Sequence, residues 1–244
     1  IARNSAGGNG GAFSCAALSS PTFRSCLILD NTAAERGGAG DCSYIDVFTL
    51  EGCTLVGNTA SEGGALYCSR GSGVVVRNCV FWDNSPNEIF VNSETPKVTH
   101  CVVKGGWQGI GNIDIDPLFV DPDNGDFHLS ADSPCIGSGD PQMFDVAQSD
   151  IDGESRVMAG RVDIGADERT GRAFVFGDMN CDGVRDQSDT YPFVIALTSA
   201  GHTHPFDDYY AMYPDCNPLN GDTDGNGALN LFDVDVFAAL LADL

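Results

Sequence analysis

The stretch FRSCLILDNTAAERGGAGDC, residues 23–42, returns as LEGCTLVGNTASEGGALYC at 50–68 and, with losses, as VRNCVFWDNSPNEIFV at 76–91. Cys26, Cys53, Cys79 and Cys101 follow one another at intervals of 27, 26 and 22 residues, and Cys15, Cys42 and Cys68 at 27 and 26. Asn4, Asn31, Asn58 and Asn84 keep the same beat. Self-similarity at a fixed period means that one unit is built repeatedly and stacked, because a single unit of this size cannot bury its own apolar face.

Two architectures suit such a period. Leu50, Cys53, Leu55 and Asn58 fit the frame of a leucine-rich repeat. The segments after the asparagines, TAAERGGAG and TASEGGALY, are too rich in glycine for the return helix of a horseshoe. Short alternating apolar runs with Gly-Gly corners instead describe a right-handed parallel β-helix, each coil about 4.8 Å above the last. Equal positions then stack: Ile28, Leu55 and Phe81 form an inward column, and the asparagines ladder through their amides at a turn. Gly37-Gly38 and Gly63-Gly64 suit a corner that needs positive φ. The pairs Cys15/Cys26, Cys42/Cys53 and Cys68/Cys79, each eleven apart, are either bridges across one coil or two columns of buried thiols, and spacing does not choose between them.

Thirty-five acidic residues against twelve Lys and Arg give a net charge of −23. Such a chain is repelled by phosphate backbones and anionic lipid, which argues against nucleic acid as a partner. No apolar run approaches the roughly 18–20 residues that span a bilayer. Ten cysteines, thirty glycines and only two lysines, Lys97 and Lys104, lean toward an extracellular protein. Ile1 falls in mid-repeat, so sequence is expected before it; the other expectation is that a second copy covers the first coil, a head-to-tail contact that would propagate into a fibre.

The NTA…GGA…C repeats, followed by IDPLFVDPDNGDFHLSADSPCIGSGD and GRVDIGADE, resemble β-helix proteins of bacterial cell surfaces, including the choice-of-anchor type with this ending. The resemblance covers residues 1 to about 170. It implies that closing strands finish the solenoid, with Phe127, Leu129, Cys135, Ile136, Val162 and Ile164 facing inward. Many parallel β-helices act on acidic polysaccharides through clustered carboxylates on one outer face. Asp30, Asp83, Glu35 and Glu62 are the candidate acids and Lys97, Lys104, Arg24, Arg70 and Arg77 the candidate bases, but the acids recur as turn and corner residues, where solvation alone favours them. His202-Thr203-His204 lacks a third ligand at sensible spacing, and His100 beside Cys101 reads as repeat packing.

From about residue 173 the composition changes. Residues 173–244 carry twelve aspartates and a single arginine, a density that calls for a cation. With Asp178 at position one, DMNCDGVRDQSD supplies Asp178, Asn180, Asp182, the Val184 carbonyl, Asp186 and Asp189 at position twelve, with Gly183 at the sharp turn. DTDGNGALNLFD repeats the frame 44 residues later with Asp222, Asp224, Asn226, the Ala228 carbonyl, Asn230 and Asp233. Oxygen donors at this spacing suit calcium better than magnesium, one ion per loop.

Position twelve is Asp rather than the Glu of an EF-hand, and the helix-like segments DTYPFVIAL and DVDVFAALL lie directly behind the loops. Residues 177–244 resemble a type I dockerin of the kind found in large secreted planctomycete-like proteins. The resemblance implies paired loop–helix units about a pseudo-twofold axis, with Phe193, Leu197, Phe237 and Leu241 in a shared core. It implies two bound calcium ions and a protein partner contacted by loop positions ten and eleven, here Gln187-Ser188 and Leu231-Phe232. These are not the small hydroxyl pair of the cellulosomal type, so the partner is a cohesin-like protein, the adjoining solenoid or another copy. Cys181 and Cys216 are candidates for a bridge across the connection.

The expected molecule is therefore mostly β: a β-helix over residues 1–172 and a small α-helical, two-calcium, dockerin-like domain over residues 173–244. Its expected role is structural or adhesive at a bacterial surface, with a protein as partner and an extracellular polysaccharide as a further candidate; a polysaccharide lyase or hydrolase is the alternative.

Overall fold

In a computed structural model of the chain, residues 1–15, 20–43, 47–69, 73–140, 148–156, 162–169, 177–180, 185–200, 207–213, 221 and 229–242 are described. Three parallel sheets of four rungs run through the repeat region. The first stacks β3 (Thr22–Arg24), β7 (Val47–Glu51), β10 (Gly73–Arg77) and β13 (Lys97–Thr99). The second stacks β4 (Leu27–Leu29), β8 (Thr54–Val56), β11 (Val80–Trp82) and β14 (Val102–Val103). The third stacks β2 (Phe13–Cys15), β6 (Gly40–Cys42), β9 (Leu66–Cys68) and β12 (Ile89–Val91). Strands β1 (Ser5–Ala6) and β5 (Thr32–Ala33) pair on a fourth side, continued by bridges from Thr32 to Thr59 and from Thr59 to Ser85.

Register places like on like. Ile28 pairs with Leu55, Leu55 with Phe81 and Phe81 with Val103, and the first three are sealed from solvent completely. Phe23, Leu50, Val76 and Val98 form the matching column of the first sheet. Both columns belong to one core with Ala39, Ala65 and Phe48. At the corner, Gly37 and Gly63 have φ of 63° and 68° as the sequence requires. Their neighbours do a different job: a Cβ on Gly38 would lie 2.2 Å from the Gly64 carbonyl oxygen, so successive corners nest only because the side chains are missing.

Two polar ladders run through this core. Asn31 Oδ1 accepts from the backbone N–H and Nδ2 of Asn4, Asn58 Oδ1 from those of Asn31, and Asn84 Oδ1 from those of Asn58, all at 2.8–3.0 Å. Each Nδ2 of Asn31, Asn58 and Asn84 also donates to a carbonyl of the preceding coil, those of Ile1, Ile28 and Leu55. A buried amide thus meets its donors and its acceptor at every rung, the condition for burying it without a penalty. The cysteines resolve as free thiols in columns, Cys15–Cys42–Cys68 and Cys26–Cys53–Cys79–Cys101, not as bridges across a coil. Cys79 Sγ accepts from Cys53 N–H and Cys101 Sγ from Cys79 N–H, and burial pushes the thiols of Cys42, Cys53, Cys68 and Cys79 up.

The coils shorten as the repeat decays, and the ladders end on substitutes. The second coil runs from Thr59 to Leu66 where the third runs only from their partners Ser85 to Ile89, dropping the Gly-Gly corner. There Glu88 folds in, its two oxygens accepting from the N–H and Nδ2 of Asn84 in place of a fifth asparagine. Asn112 Oδ1 likewise accepts from Cys101 N–H. Residues 105–114 lie along the last rung through Ile113 N–H to Cys101 O and Val103 N–H to Ile113 O, and Trp107 packs on the core. This loop covers the edge that a stack would otherwise leave unpaired.

The closing segment differs from the expectation that further strands finish the solenoid. Among the described residues of 115–169 the strands are an antiparallel hairpin, β15 (Phe119–Asp121) and β16 (Asp126–Leu129). Leu129, Cys135 and Ile164 pack against Val80 and Val102, which alternate with the inward Phe81 and Val103 and so point out of the coil. The segment therefore covers the outer side of the second sheet rather than its end. Ala166 N–H donates to Thr54 Oγ1 and Asp140 N–H to Asn78 Oδ1, fixing it there. Phe127, Leu129, Cys135, Val162 and Ile164 are buried, and Ile136 is partly so. Arg156 is fully enclosed, donating to the Asp163 and Asp167 carbonyls, with Glu168 3.8 Å away. Burial favours the neutral forms of Asp163 and Glu168, and the charge of Asp163 makes Glu168 the stronger holder of a proton.

Past Gly177 the chain turns helical, with α1 (Thr190–Ser199), α2 (Asp207–Met212) and α3 (Asp233–Ala242). Met179, Phe193, Ala196, Tyr209, Leu229 and Phe237 form a separate core, with Leu197 and Leu241 packed on it.

The ladder generates a test. Asn58→Ala strips the Asn31 N–H and the Ile28 carbonyl of these partners inside the core and leaves Asn31 Nδ2 with Ile1 alone, and is expected to cost about 2–6 kcal/mol, two stranded groups at roughly 1–3 kcal/mol each. Thr32→Ala, at an exposed position of the same turn, is expected to cost under about 1 kcal/mol. Urea unfolding of the two variants measures the contrast.

Candidate functional site

The first acidic loop is held by its last residue. Asp189 is fully buried; its Oδ1 accepts from the N–H groups of Met179 and Asn180 at 2.7 and 3.1 Å, and its Oδ2 from Asp186 N–H at 2.8 Å. Asp186 Oδ1 in turn accepts from Ser188 N–H, so the two carboxylates cap the 3₁₀ turn Gln187–Asp189 that leads into α1. Loop positions two, three, nine and twelve are thereby drawn together from opposite ends of the segment.

In the second loop two of these bonds recur 44 residues on among the described residues. Asp233 is fully buried and its Oδ2 accepts from Asn230 N–H at 2.8 Å; Asn230 Oδ1 accepts from Phe232 N–H at 2.9 Å. Behind the loops, Phe193 and Phe237 stack at 3.8 Å between ring centroids and 6° between planes. Asp182, Val184, Asp222, Asp224, Asn226 and Ala228, the remaining expected ligands, lie outside the described residues, as do Cys181 and Cys216. The donors that are described are all oxygens, with Asp178 buried at the loop start, which fits a hard cation. At least three of the roughly four lone-pair directions of the Asp189 carboxylate already serve backbone N–H groups.

The expected contact positions are exposed. Leu231 and Phe232 stand 79 and 80% open, and Val236, Tyr191 and Val194 are exposed as well. Gln187 and Ser188 are exposed as well, though Ser188 Oγ accepts from Asn180 Nδ2.

On the solenoid, most of the candidate acids and bases stand in ion pairs, but Asp83 and Lys104 alone among the described candidates pair with each other. Asp30 meets Arg3 at 3.6 Å, Glu62 meets Arg36 at 3.5 Å, and Lys104 holds Asp83 while lying over the Trp82 ring. Glu35 and Lys97 are exposed. Arg24 and Arg77 stack above and below Glu51, a buried carboxylate absent from the candidates that residue spacing suggested; they meet it at 2.7 and 3.6 Å. The alternation of Arg, Glu and Arg at one repeat position was its signal. Asp30, Gly57 and Asp83 occupy one stacked turn with φ of 54°, 69° and 57°, a conformation Asp tolerates better than most residues. His100 is buried with its ring against Gly111. Arg70, His202 and His204 fall outside the described residues.

Where the ladder ends, a cleft of about 610 Å³ opens between Asp83, Glu88, Ile89, Lys104 and Trp107. Burial raises the Glu88 carboxyl to about 7, against the pull of its bonds from Asn84. The cleft thus joins a proton-bearing acid, an ion pair and an aromatic face.

A family model described as a right-handed beta helix region matches residues 16–114. Together with the parallel stacking, it makes the repeat region a right-handed β-helix. No curated protein and no solved structure matches the chain.

The raised acid makes stability depend on pH. A buried glutamic acid that keeps its proton stabilises the fold fully below about 4.5, its ordinary value, and that contribution is lost as pH rises through about 7. Between about pH 5 and about pH 8 the native chain is expected to lose roughly 2 kcal/mol from this group. Glu88→Gln is expected to flatten that part of the slope, read from unfolding midpoints at the two pH values.

Proposed function

We propose that this chain is a non-enzymatic structural or adhesive protein of a bacterial surface, in which a stiff β-helix carries a calcium-dependent, dockerin-like docking module. The observation that carries the reading is the repetition, 44 residues apart, of one bonding pattern: Asp186 and Asn230 accept from the N–H two residues on, Asp189 and Asp233 from the N–H three residues back, and Phe193 stacks on Phe237. Two equivalent loop–helix units with buried carboxylates, in a tail this acidic, are what a pair of divalent ions stabilises, because close carboxylates repel without a cation. Two calcium ions are assigned, one to each loop.

Leu231 and Phe232 are the proposed anchors for a protein partner. Large apolar side chains standing this far into water favour an occupant that covers them. A cohesin-like protein, the solenoid of the same chain, or another copy would each supply one, and end-to-end assembly into fibres belongs to the last.

Calorimetric melts with calcium and with chelator test the reading. Calcium is expected to raise the melt of the helical module by several degrees, and Asp189→Asn and Asp233→Asn each to reduce the calcium bound from two ions to one. A melt indifferent to chelator would remove the proposal. Leu231→Ala combined with Phe232→Ala is expected to abolish any calcium-dependent particle growth seen by light scattering.

A second reading has one observation in its favour, the cleft with Glu88, Asp83, Lys104 and Trp107. An acid that keeps its proton near neutrality beside an aromatic face is suited to protonating a glycosidic oxygen. Release of reducing ends from a polysaccharide panel, abolished by Glu88→Gln, would favour the lyase or hydrolase over the rod.

A further inference from the structure

The side of the closing segment that faces away from its core carries a cluster that neither the calcium loops nor the cleft uses. His128 on β16, Asp152 in the turn 150–154 and Asp167 in the stretch 162–169 bring one nitrogen and two carboxylates together, all within 4.8 Å of one another. We infer that His128, Asp152 and Asp167 form a site for a divalent transition-metal ion of the zinc class, held by one imidazole nitrogen and two carboxylate oxygens.

Three observations carry this. Asp126 Oδ1 engages His128 Nδ1 at 2.5 Å and also accepts His128 N–H, which fixes the ring and turns Nε2 toward the other two groups. A ligating histidine is ordinarily oriented by such a carboxylate on its second nitrogen. Asp167 is 5% exposed; its Oδ2 accepts from Leu129 N–H, and no hydrogen bond to Oδ1 is made among the described residues. That oxygen is not sealed from solvent, so its lone pairs stay open to an ion. The spacing also suits an ion: donors at about 2.0–2.2 Å from a tetrahedral centre stand roughly 3.4 Å apart. The observed separations bracket that value, from 2.9 Å between Nε2 and Asp152 Oδ2 up to the 4.8 Å limit.

The scaffold is set before any ion arrives. Asp150 Oδ1 accepts from the N–H groups of Asp152 and Glu154, and its Oδ2 from Glu168 N–H, so one carboxylate ties the Asp152 turn to the stretch that carries Asp167. An imidazole among the ligands selects against calcium and magnesium. Half-open side chains of His128 and Asp152 leave the fourth position to water. An ion here would clasp three stretches of chain otherwise joined by hydrogen bonds alone.

Zinc is titrated by calorimetry into the full chain in excess calcium, which keeps the C-terminal loops filled and separates this site from them. One zinc ion is expected to bind at micromolar strength or better. His128→Gln and Asp167→Asn are each expected to weaken it at least tenfold and Asp126→Asn about tenfold, while the double variant His202→Gln, His204→Gln binds as the parent does. Cobalt in the unaltered chain gives a readout independent of how the variants fold: paramagnetically shifted ring signals from a single histidine are expected. Absence of any zinc or cobalt binding, equal zinc affinity in His128→Gln, or loss of binding only in the His202/His204 variant would each overturn the inference.

Discussion

The asparagine ladder is the constraint on which the solenoid rests. A coil of parallel strands buries its turns as well as its strands, and a turn offers backbone N–H and carbonyl groups that the sheets do not pair. Asn31, Asn58 and Asn84 take up both kinds: Oδ1 receives two donors from the coil before, and Nδ2 returns to a carbonyl of that same coil. The pattern works only if every coil presents its amide at the same height. It locks register more tightly than the apolar columns do, since Ile28, Leu55 and Phe81 would tolerate exchange of one hydrocarbon for another.

A ladder must stop somewhere, and its end is where this fold acquires chemistry. Loss of the Gly-Gly corner in the third coil brings a glutamate to the place of an amide. Glu88 satisfies Asn84 while losing most of its own hydration, so its proton is held toward neutral pH. The same shortening leaves the cleft beside it. The thiol column ends in a parallel way on Asn112. Structure and reactivity here share one cause, the mismatch between a full coil and a shortened one.

The helical module repeats the principle on a smaller scale. Asp189 and Asp233 are buried as acceptors for their own loops, and each stands where the helix behind it begins. Loop closure and the proposed ion site thus share atoms, and Phe193 meets Phe237 from helices that begin at equivalent points.

Much of this was legible in the chain itself. The period, the inward column, the asparagine ladder and the positive-φ corner all came from residue spacing, because a stacked repeat turns sequence position directly into height and facing. Spacing left the cysteines undecided, and the coil settled them: of partners eleven apart, one lies in the third sheet and the other at the corner between the first and second, while partners a full turn apart stack. The closing segment, expected as more coil, is a hairpin laid on the outer face of the second sheet, since Val80 and Val102 give that face an apolar strip that only the three-dimensional stack makes continuous. The Arg24–Glu51–Arg77 column and the meeting of His128, Asp152 and Asp167 were likewise decided by the tertiary structure. Local repetition can be read from a string of residues; contacts between segments that share no period exist only once folding has brought them together.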